Sequence, residues 1–174
     1  MPEAATTTRK ITLVELPVHA LEPAAFAPFG QVVAPTFDGK PFDTEDAQLE
    51  LSSGTPRFYI MSLSRRALSF RSITRHLAVT QVLASVGGKP WLIAVAPPQD
   101  PDDPAKMPDP SAIKAFRIPG TVAIKLHRST WHAGPFFEDE QVDFFNLELS
   151  DTNQTDHFSC QLDRTYGLEF RFAV

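Results

Sequence analysis

The chain has 174 residues, of which 43% are hydrophobic and 21% charged, and its formal net charge at pH 7 is −5. A chain of this length can bury a core without disulfides, and its acidic balance argues against nucleic acid as a partner. One cysteine, Cys160, cannot form an internal disulfide, which favours a reducing compartment. The N-terminus has no apolar signal region, and the apolar run at residues 91–96 is too short to cross a bilayer, so we expect a cytoplasmic protein without a membrane partner.

The N-terminal third of the chain predicts few regular elements. Residues 11–16 (ITLVEL) predict a first strand. Residues 19–30 predict one short helix, because three alanines favour it and Gly30 is placed to end it. Residues 31–56 are rich in turn-forming residues around two short apolar pieces, so we interpret them as an edge strand followed by a long loop.

From residue 57 onward the hydrophobic pattern has a period of two, which is typical of strands. The predicted strands are residues 57–63, 67–75, 79–86, 89–96, 120–127, 142–149, 158–162 and 168–172. The pair Gly87-Gly88 predicts a tight turn that joins its two flanking strands in a hairpin. Residues 97–110, rich in proline and acidic residues, are expected to be an exposed connector, and residues 113–116 fit either a helical turn or a short strand.

Many short strands separated by turn signals predict a β-sandwich or barrel with the helix packed outside it. The 16 prolines and 14 phenylalanines support this mainly β class, since proline breaks helices and phenylalanine favours sheets. We expect residues 1–10 to be a flexible N-terminus and residues 11–174 to form a single domain. The sequence has no Gly-rich phosphate loop, CxxC pair, G-x-S-x-G elbow or HExxH helix, which excludes the common NTPases, dinucleotide enzymes, zinc fingers and serine hydrolases.

The remaining candidates for a functional site are the histidines and the side-chain amide of Gln81. His76 lies at the end of the predicted strand 67–75, and Gln81 lies in the next strand on the same face as Val79 and Leu83. A buried amide costs free energy unless it is hydrogen-bonded, so Gln81 indicates either a site or a structural hydrogen bond.

A second group of polar residues lies at residues 125–132. Lys125 and His127 share one face of a strand, and His132 follows after a predicted turn at residues 128–130, with Trp131 as a wall residue. This turn is needed to bring both histidines into one cavity. On the strand 142–149, residues Phe144, Asn146 and Glu148 share a face that is either solvent-exposed or a polar lining.

Six segments of the chain, in order, resemble the ureidoglycolate lyase family, formerly called ureidoglycolate hydrolase. They are residues 24–33 (AAFAPFGQVV), 74–81 (TRHLAVTQ), 89–97 (KPWLIAVAP), 113–116 (IKAF), 127–132 (HRSTWH) and 142–144 (VDF). The resemblance implies a cupin-like (jelly-roll) β-barrel, usually a homodimer, that acts on a small molecule in allantoin and purine catabolism. Family members split (S)-ureidoglycolate into glyoxylate and urea.

The resemblance also implies roles for particular residues. By comparison with cupins, His76, Gln81 and His132 occupy metal-ligand positions, which suit a divalent ion such as nickel or manganese. Cleavage needs a base for the hydroxyl proton, an acid for the departing nitrogen and a cation for the carboxylate. We expect His76 and His132 to act as base or metal ligands, and His127 or Glu148 to act as acid. The expected substrate-binding residues are three cations and an aromatic wall: Arg75, Lys125, Arg128 and Trp131.

The chain departs from the better-known members at several of these positions. Thr74 stands where they carry glutamate, Ala133 where they carry a second histidine, Lys125 where asparagine is common, and Gln81 at the cupin glutamate position. These departures place the chain in a divergent branch of the family. Two alternatives therefore stay open: another small-molecule cupin enzyme that acts on a related α-hydroxy acid, and a non-catalytic cupin that binds a metabolite.

Overall fold

The computed structural model describes residues 10–174, so the predicted flexible N-terminus lies outside the described residues except for Lys10. The strands are β1 (Thr12–Ala20), β2 (Gly30–Val33), β3 (Pro56–Ser64), β4 (Ser69–Phe70), β5 (Ser72–Arg75), β6 (Gln81–Ser85), β7 (Trp91–Ala96), β8 (Lys114–Ile118), β9 (Ala123–Leu126), β10 (Trp131–Phe136), β11 (Gln141–Leu149), β12 (Phe158–Gln161) and β13 (Leu168–Ala173). The helices are α1 (Pro23–Phe26), α2 (Thr152–Thr155), α3 (Leu162–Tyr166) and a 3-10 turn at Pro110–Ala112. None of these helices is long and apolar enough to cross a membrane.

The strands form two sheets. The larger sheet has the order β12-β5-β10-β7-β8-β1-β13-β4, and the smaller has the order β2-β9-β6-β11-β3. Strand β1 pairs in parallel with β13 and β8, whereas the other pairs are antiparallel. The prediction of a mainly β, cupin-like fold with a short N-terminal helix is confirmed by this arrangement.

Strand β7 lies at the centre of the core and is buried on both faces. Its alternate residues Trp91, Ile93 and Val95 join the apolar cluster between the sheets, with side chains from β6, β9 and β11. Leu92, Ala94 and Ala96 belong to a second cluster with side chains from β10, β12 and β13. Burial on both faces explains why this strand is continuously apolar in sequence rather than alternating.

The predicted helix at residues 19–30 is wrong in its extent. Strand β1 continues to Ala20 because its last residues pair with β8, so the first two residues of the predicted helix are extended instead. Helix α1 covers four residues, and Gly30 opens β2 instead of ending a helix. A Cβ at Gly30 would lie 2.0 Å from the Lys125 carbonyl oxygen, so the close approach of β2 to β9 requires glycine.

The predicted hairpin around Gly87 and Gly88 is also wrong, although the turn itself is present. Both glycines have positive φ angles, 79° and 72°, as a tight turn requires. However, β6 belongs to the smaller sheet and β7 to the larger one, so the turn carries the chain from one sheet to the other. The reason is the burial of β7, which pairs with β10 on one side and β8 on the other.

Two further segments lie in strands of the larger sheet. Residues 113–116, which fitted a helical turn or a strand, lie largely within β8. The predicted strand 67–75 is divided into β4 and β5 at Arg71, whose carbonyl accepts a hydrogen bond from the Leu162 amide at 2.7 Å.

Candidate active site

A cavity of about 570 Å³ is walled by side chains from both sheets. The larger sheet contributes Thr74 from β5 and His132, Ala133 and Phe136 from β10, and His76 follows β5 directly. The smaller sheet contributes polar side chains from three strands: Tyr59, Gln81, Asn146 and Glu148. Thr74, Gln81 and Ala133, at which the chain departs from the better-known family members, all line this cavity.

His76 and His132 meet in the cavity, and their ring centroids are 5.1 Å apart. They are neighbours because His132 pairs with Thr74 across β10 and β5. The turn before β10 fixes this arrangement, since the Ser129 amide donates to the His76 carbonyl at 2.7 Å with Ser129 in a left-handed conformation (φ 67°). A third imidazole, His157, has its ring centroid 5.7 Å from that of His76.

Both central histidines present an unprotonated nitrogen. The Nδ1 of His76 lies 2.6 Å from the Asp156 carbonyl oxygen, and the Nδ1 of His132 lies 3.2 Å from the Thr130 carbonyl oxygen. Because a carbonyl oxygen can only accept, each Nδ1 carries the proton and each Nε2 has a free lone pair. Burial lowers the pKa of His76, and burial together with His76 lowers the pKa of His132 to about 3. Both rings are therefore neutral near pH 7.

Glu148 is the centre of a buried polar network. Asn146 and Glu148 are each 1% exposed, so their face of β11 is a polar lining rather than a solvent-facing surface. The Glu148 carboxylate accepts hydrogen bonds from Tyr59 Oη at 3.2 Å, Gln81 Nε2 at 3.1 Å, Asn146 Nδ2 at 3.2 Å and Asn153 Nδ2 at 3.3 Å. Burial and the Glu148 charge raise the pKa of Tyr59, which keeps its proton for this network.

Gln81 shows only partly satisfied hydrogen bonding. Its Nε2 donates to Asn146 Oδ1 and Glu148 Oε2, both at 3.1 Å, whereas its buried Oε1 has no hydrogen-bond partner in the structure. The predicted metal set of His76, Gln81 and His132 therefore offers two imidazoles and one amide oxygen, a weak ligand. Within residues 10–174 no three His, Cys, Asp or Glu side chains are grouped to hold a metal ion. These donors are a poor fit to a resident divalent metal.

Asp156 holds the loop that carries His76. Its carboxylate accepts the Leu77 amide at 2.6 Å and the Ala78 amide at 2.8 Å, while its carbonyl accepts from His76 Nδ1. Asp156 is 6% exposed and follows α2, about eighty residues away from the loop in sequence. Nothing local in the sequence links these segments, so sequence reasoning missed this residue.

Arg75 and Trp131, predicted to bind substrate, lie outside this cavity. Strand alternation turns Arg75 away from the face that Thr74 and His76 share. The buried Arg75 guanidinium lies 4.7 Å from the Trp131 ring centroid and donates to the carbonyls of Gln99 and Asp103. Its placement makes Arg75 an anchor for the acidic connector rather than a substrate ligand.

Lys125, His127 and Arg128 also lie elsewhere. Lys125 Nζ lies 3.0 Å from His127 Nδ1 in a different cavity, beside β2. Arg128 donates to the Leu77 carbonyl at 2.6 Å and to the Glu50 carboxylate at 3.3 Å. The turn at 128–130 therefore brings His132 to His76 but leaves His127 outside, so the expectation that His127 supplies the acid does not agree with its position.

Sequence reasoning also missed several residues that line the cavity. Tyr59 could have been found, because it alternates with Met61 on the inner face of β3. Arg66 comes from the loop after β3 and has its guanidinium carbon 4.0 Å from the Phe136 ring centroid. The lining residues Asn153 and His157 come from the connection between β11 and β12, which carries no strand pattern.

The lowered pKa of His132 predicts destabilisation by acid. Below about pH 6.5 the unfolded chain binds a proton at this histidine, whereas the folded chain does so only near pH 3. The free energy of unfolding should therefore fall as the pH is lowered through this window, by up to about 1.4 kcal/mol per pH unit from this group. Urea unfolding between pH 7 and 4 measures the slope, and the variant His132→Gln should show a shallower one; equal slopes would contradict the prediction.

Several known proteins are similar to this chain. The family model described as ureidoglycolate lyase matches residues 13–167. A ureidoglycolate lyase of Azotobacter vinelandii is 30% identical over 67% of this chain and 74% of its own length. Another, of Pseudomonas fluorescens, is 28% identical over 82% of this chain and 90% of its own length. A dTDP sugar isomerase structure from Desulfovibrio desulfuricans is similar with a TM-score of 0.43 and 12% identity, covering 76% of this chain and 81% of that chain. Because the family model covers most of the sequence, the chain belongs to the ureidoglycolate lyase family.

Proposed function

We propose that the chain is a ureidoglycolate lyase that cleaves (S)-ureidoglycolate to glyoxylate and urea in allantoin and purine catabolism. The observation that carries this proposal is the pair of neutral imidazoles, His76 and His132, with unprotonated Nε2 atoms in a polar cavity. Membership of the family supports it. In the substrate one carbon bears a hydroxyl, a carboxylate and a ureido nitrogen, so cleavage requires proton transfers between two neighbouring groups.

One histidine can perform both proton transfers. Its Nε2 takes the hydroxyl proton, the oxygen forms a double bond to carbon, and the carbon–nitrogen bond breaks with its electron pair moving to nitrogen. The imidazolium then returns the proton to the departing nitrogen, and urea and glyoxylate leave. We assign this role to the His76–His132 pair, in which each ring already has its Nδ1 held by a backbone carbonyl.

Glu148 contributes its negative charge to this reaction and does not donate the proton to the departing nitrogen. It accepts hydrogen bonds from four side chains, so its oxygens are already occupied as acceptors. Its negative charge raises the pKa of His76 against the lowering by burial, and so favours the imidazolium at the stage when the ring holds the proton.

We assign the substrate carboxylate to Arg66. Its guanidinium lines the cavity, donates to the Pro135 carbonyl at 3.4 Å and forms no ion pair among residues 10–174. The other arginine in the cavity wall, Arg71, is already paired with Glu169 at 2.8 Å. A planar guanidinium suits a carboxylate because it can donate two parallel hydrogen bonds.

The variant Arg66→Met should therefore raise KM for ureidoglycolate about ten- to hundredfold, since a charged hydrogen bond to substrate is lost. Steady-state kinetics of glyoxylate release measures this change. The matched control is Arg65→Met, because Arg65 donates to the Glu138 carbonyl and does not line the cavity. Equal KM values for the two variants would rule out Arg66 as the carboxylate ligand.

The function is tested by following glyoxylate and urea release from (S)-ureidoglycolate, with spontaneous decay subtracted. Enzyme-dependent release of both products in equal amounts supports the lyase. Turnover of a related α-hydroxy acid without release from ureidoglycolate would favour another cupin enzyme. Binding of ureidoglycolate without turnover would favour a metabolite-binding protein.

The resemblance implies a nickel or manganese site at His76, Gln81 and His132. Because the donor set is a poor fit to a divalent ion, we assign the proton transfers to side chains and propose that the activity survives chelation. The same assay with chelator, and with each metal added back, tests this proposal. Activity that is lost on chelation and restored by one metal would overturn it.

We further propose a cytoplasmic homodimer, as the resemblance and the composition suggest. The outer face of β3 and β11 supports pairing, since Phe58 is 67% and Ile60 55% exposed, and Phe58 stacks on Phe145 with centroids 5.7 Å apart. An apolar surface of this kind is more favourable when a second copy covers it. Sedimentation of the wild type and of Phe58→Ser tests this: a dimer that becomes a monomer supports the proposal, and a monomeric wild type overturns it.

A further inference from the structure

A second cavity lies at the β2 edge of the smaller sheet and contains a buried lysine. Lys125 lines this cavity but is 3% exposed, and it lies in β9 between Gln31 of β2 and Val82 of β6. A buried lysine is unusual, because its ammonium group is strongly hydrated in water. The family chemistry proposed above does not use this cavity.

The Lys125 amine faces a proton acceptor that a third group orients. Lys125 Nζ lies 3.0 Å from His127 Nδ1, and His127 Nε2 lies 3.0 Å from the Ala27 carbonyl oxygen. Because the carbonyl can only accept, His127 Nε2 carries the proton and Nδ1 has the lone pair directed at the amine. A nucleophile, a base and an orienting group in a row are the arrangement that activates side-chain nucleophiles.

The surroundings of Lys125 disfavour its charged form. Among residues 10–174 it forms no ion pair, and the nearby Glu50 carboxylate is engaged by Arg128 at 3.3 Å. Burial lowers the pKa of Lys125, although the Glu50 charge opposes this, and burial followed by the Lys125 charge lowers the pKa of His127. By contrast, Lys89 and Lys106 are exposed and pair with aspartates at 3.0 and 3.1 Å.

We propose that Lys125 is a reactive amine that condenses with a small aldehyde in this second cavity. The nitrogen lone pair attacks the carbonyl carbon, a carbon–nitrogen bond forms, and the carbonyl π electrons move to oxygen. His127 Nδ1 takes one proton from the nitrogen and passes it to the oxygen, which gives the carbinolamine. It then transfers the second nitrogen proton to the same oxygen, the carbon–oxygen bond breaks, and water leaves as the carbon–nitrogen double bond forms. The ligand must be small, because Lys125 is almost completely covered. Glyoxylate is the natural probe, since it is a small aldehyde and the product of the proposed reaction.

The test is reductive trapping on the full-length chain at pH 7. Glyoxylate and cyanoborohydride convert a lysine that forms an imine into carboxymethyl-lysine, and peptide mass spectrometry measures the rate at each lysine. The matched control is Lys114, an exposed lysine of β8. We expect Lys125 to react about tenfold faster than Lys114, because a larger fraction of its amine is unprotonated at pH 7, and the two rates to become equal in denaturant. Reaction at Lys125 no faster than at Lys114 in the folded protein would overturn the proposal.

The variant His127→Gln tests the proton acceptor separately. In a variant that circular dichroism shows to be folded, the Lys125 rate should fall towards that of Lys114, while the Lys114 rate stays unchanged. An unchanged Lys125 rate would contradict the role of His127. This proposal does not depend on lyase activity, because trapping uses added glyoxylate and reads one lysine, so its failure would leave the proposed function untouched.

Discussion

Replacing His76 or His132 by alanine is expected to lower kcat for ureidoglycolate cleavage by about 10²–10⁴-fold, the usual contribution of a positioned acid–base group. The physical reason is that each ring offers an Nε2 lone pair in the cavity while a backbone carbonyl fixes its orientation through Nδ1. Initial rates of glyoxylate release above the spontaneous decay measure the loss. Removal of both rings should cost less than the product of the two single losses, because the pair acts as one unit.

A histidine outside the cavity provides the control for these variants. His19 is an exposed residue of β1 that contacts the Phe116 ring, so His19→Ala should retain the wild-type kcat. Thermal melts establish that each variant is folded before its rate is compared. If folded His76→Ala and His132→Ala proteins both kept the wild-type rate, the assignment of the two histidines would be wrong.

The largest expected effect outside the histidines is that of Asp156→Asn. The carboxylate accepts two backbone amides, from Leu77 and Ala78, and an amide side chain can accept only one of them without turning an N–H group towards the other. We expect a loss of about 1–3 kcal/mol in the free energy of unfolding, the cost of a buried donor without a partner. The rate should fall as well, because this loop carries His76.

Urea unfolding and the lyase assay measure the two effects of this variant. The matched control is Asp151→Asn, an exposed aspartate at the other end of α2 whose carboxylate accepts from Thr155 Oγ1 at 3.0 Å. That variant should stay within about 0.5 kcal/mol of the wild type, as surface substitutions do. An Asp156→Asn protein with wild-type stability would show that the two amides do not need the carboxylate.

Strand alternation made part of the candidate site predictable. Gln81 was expected to share a buried face with Val79 and Leu83, and it does line the cavity. Asn146 and Glu148 were identified as sharing one face of a strand, although solvent and cavity could not be distinguished until the pairing with β3 and β6 was known. Period-two patterns describe faces, but the partner strand decides which face is inside.

Proximity in sequence was a poor guide to the remaining residues. Arg75 is adjacent to His76 and Lys125 is close to His132, yet both point away from the cavity. Arg66 and Asp156 lie in connections whose course depends on packing between distant segments, so no local pattern could have identified them. The same limit explains the misplaced hairpin, because the turn at Gly87-Gly88 looks the same whether it joins strands of one sheet or of two.

The division of the cavity between two sheets has a consequence for refolding. His132 depends on β10 of the larger sheet, whereas Tyr59, Gln81 and Glu148 depend on strands of the smaller one. Within each sheet, neighbouring strands pair residues that are far apart in the chain, for example His132 with Thr74 and Phe145 with Ile60. Contacts between residues that are distant in sequence form slowly. A folding intermediate with only one sheet formed would therefore have the lining side chains of that sheet but not those of the other. Catalytic activity should therefore return after most of the β-sheet circular dichroism has recovered, and a ligand in the cavity would stabilise the docking of the two sheets.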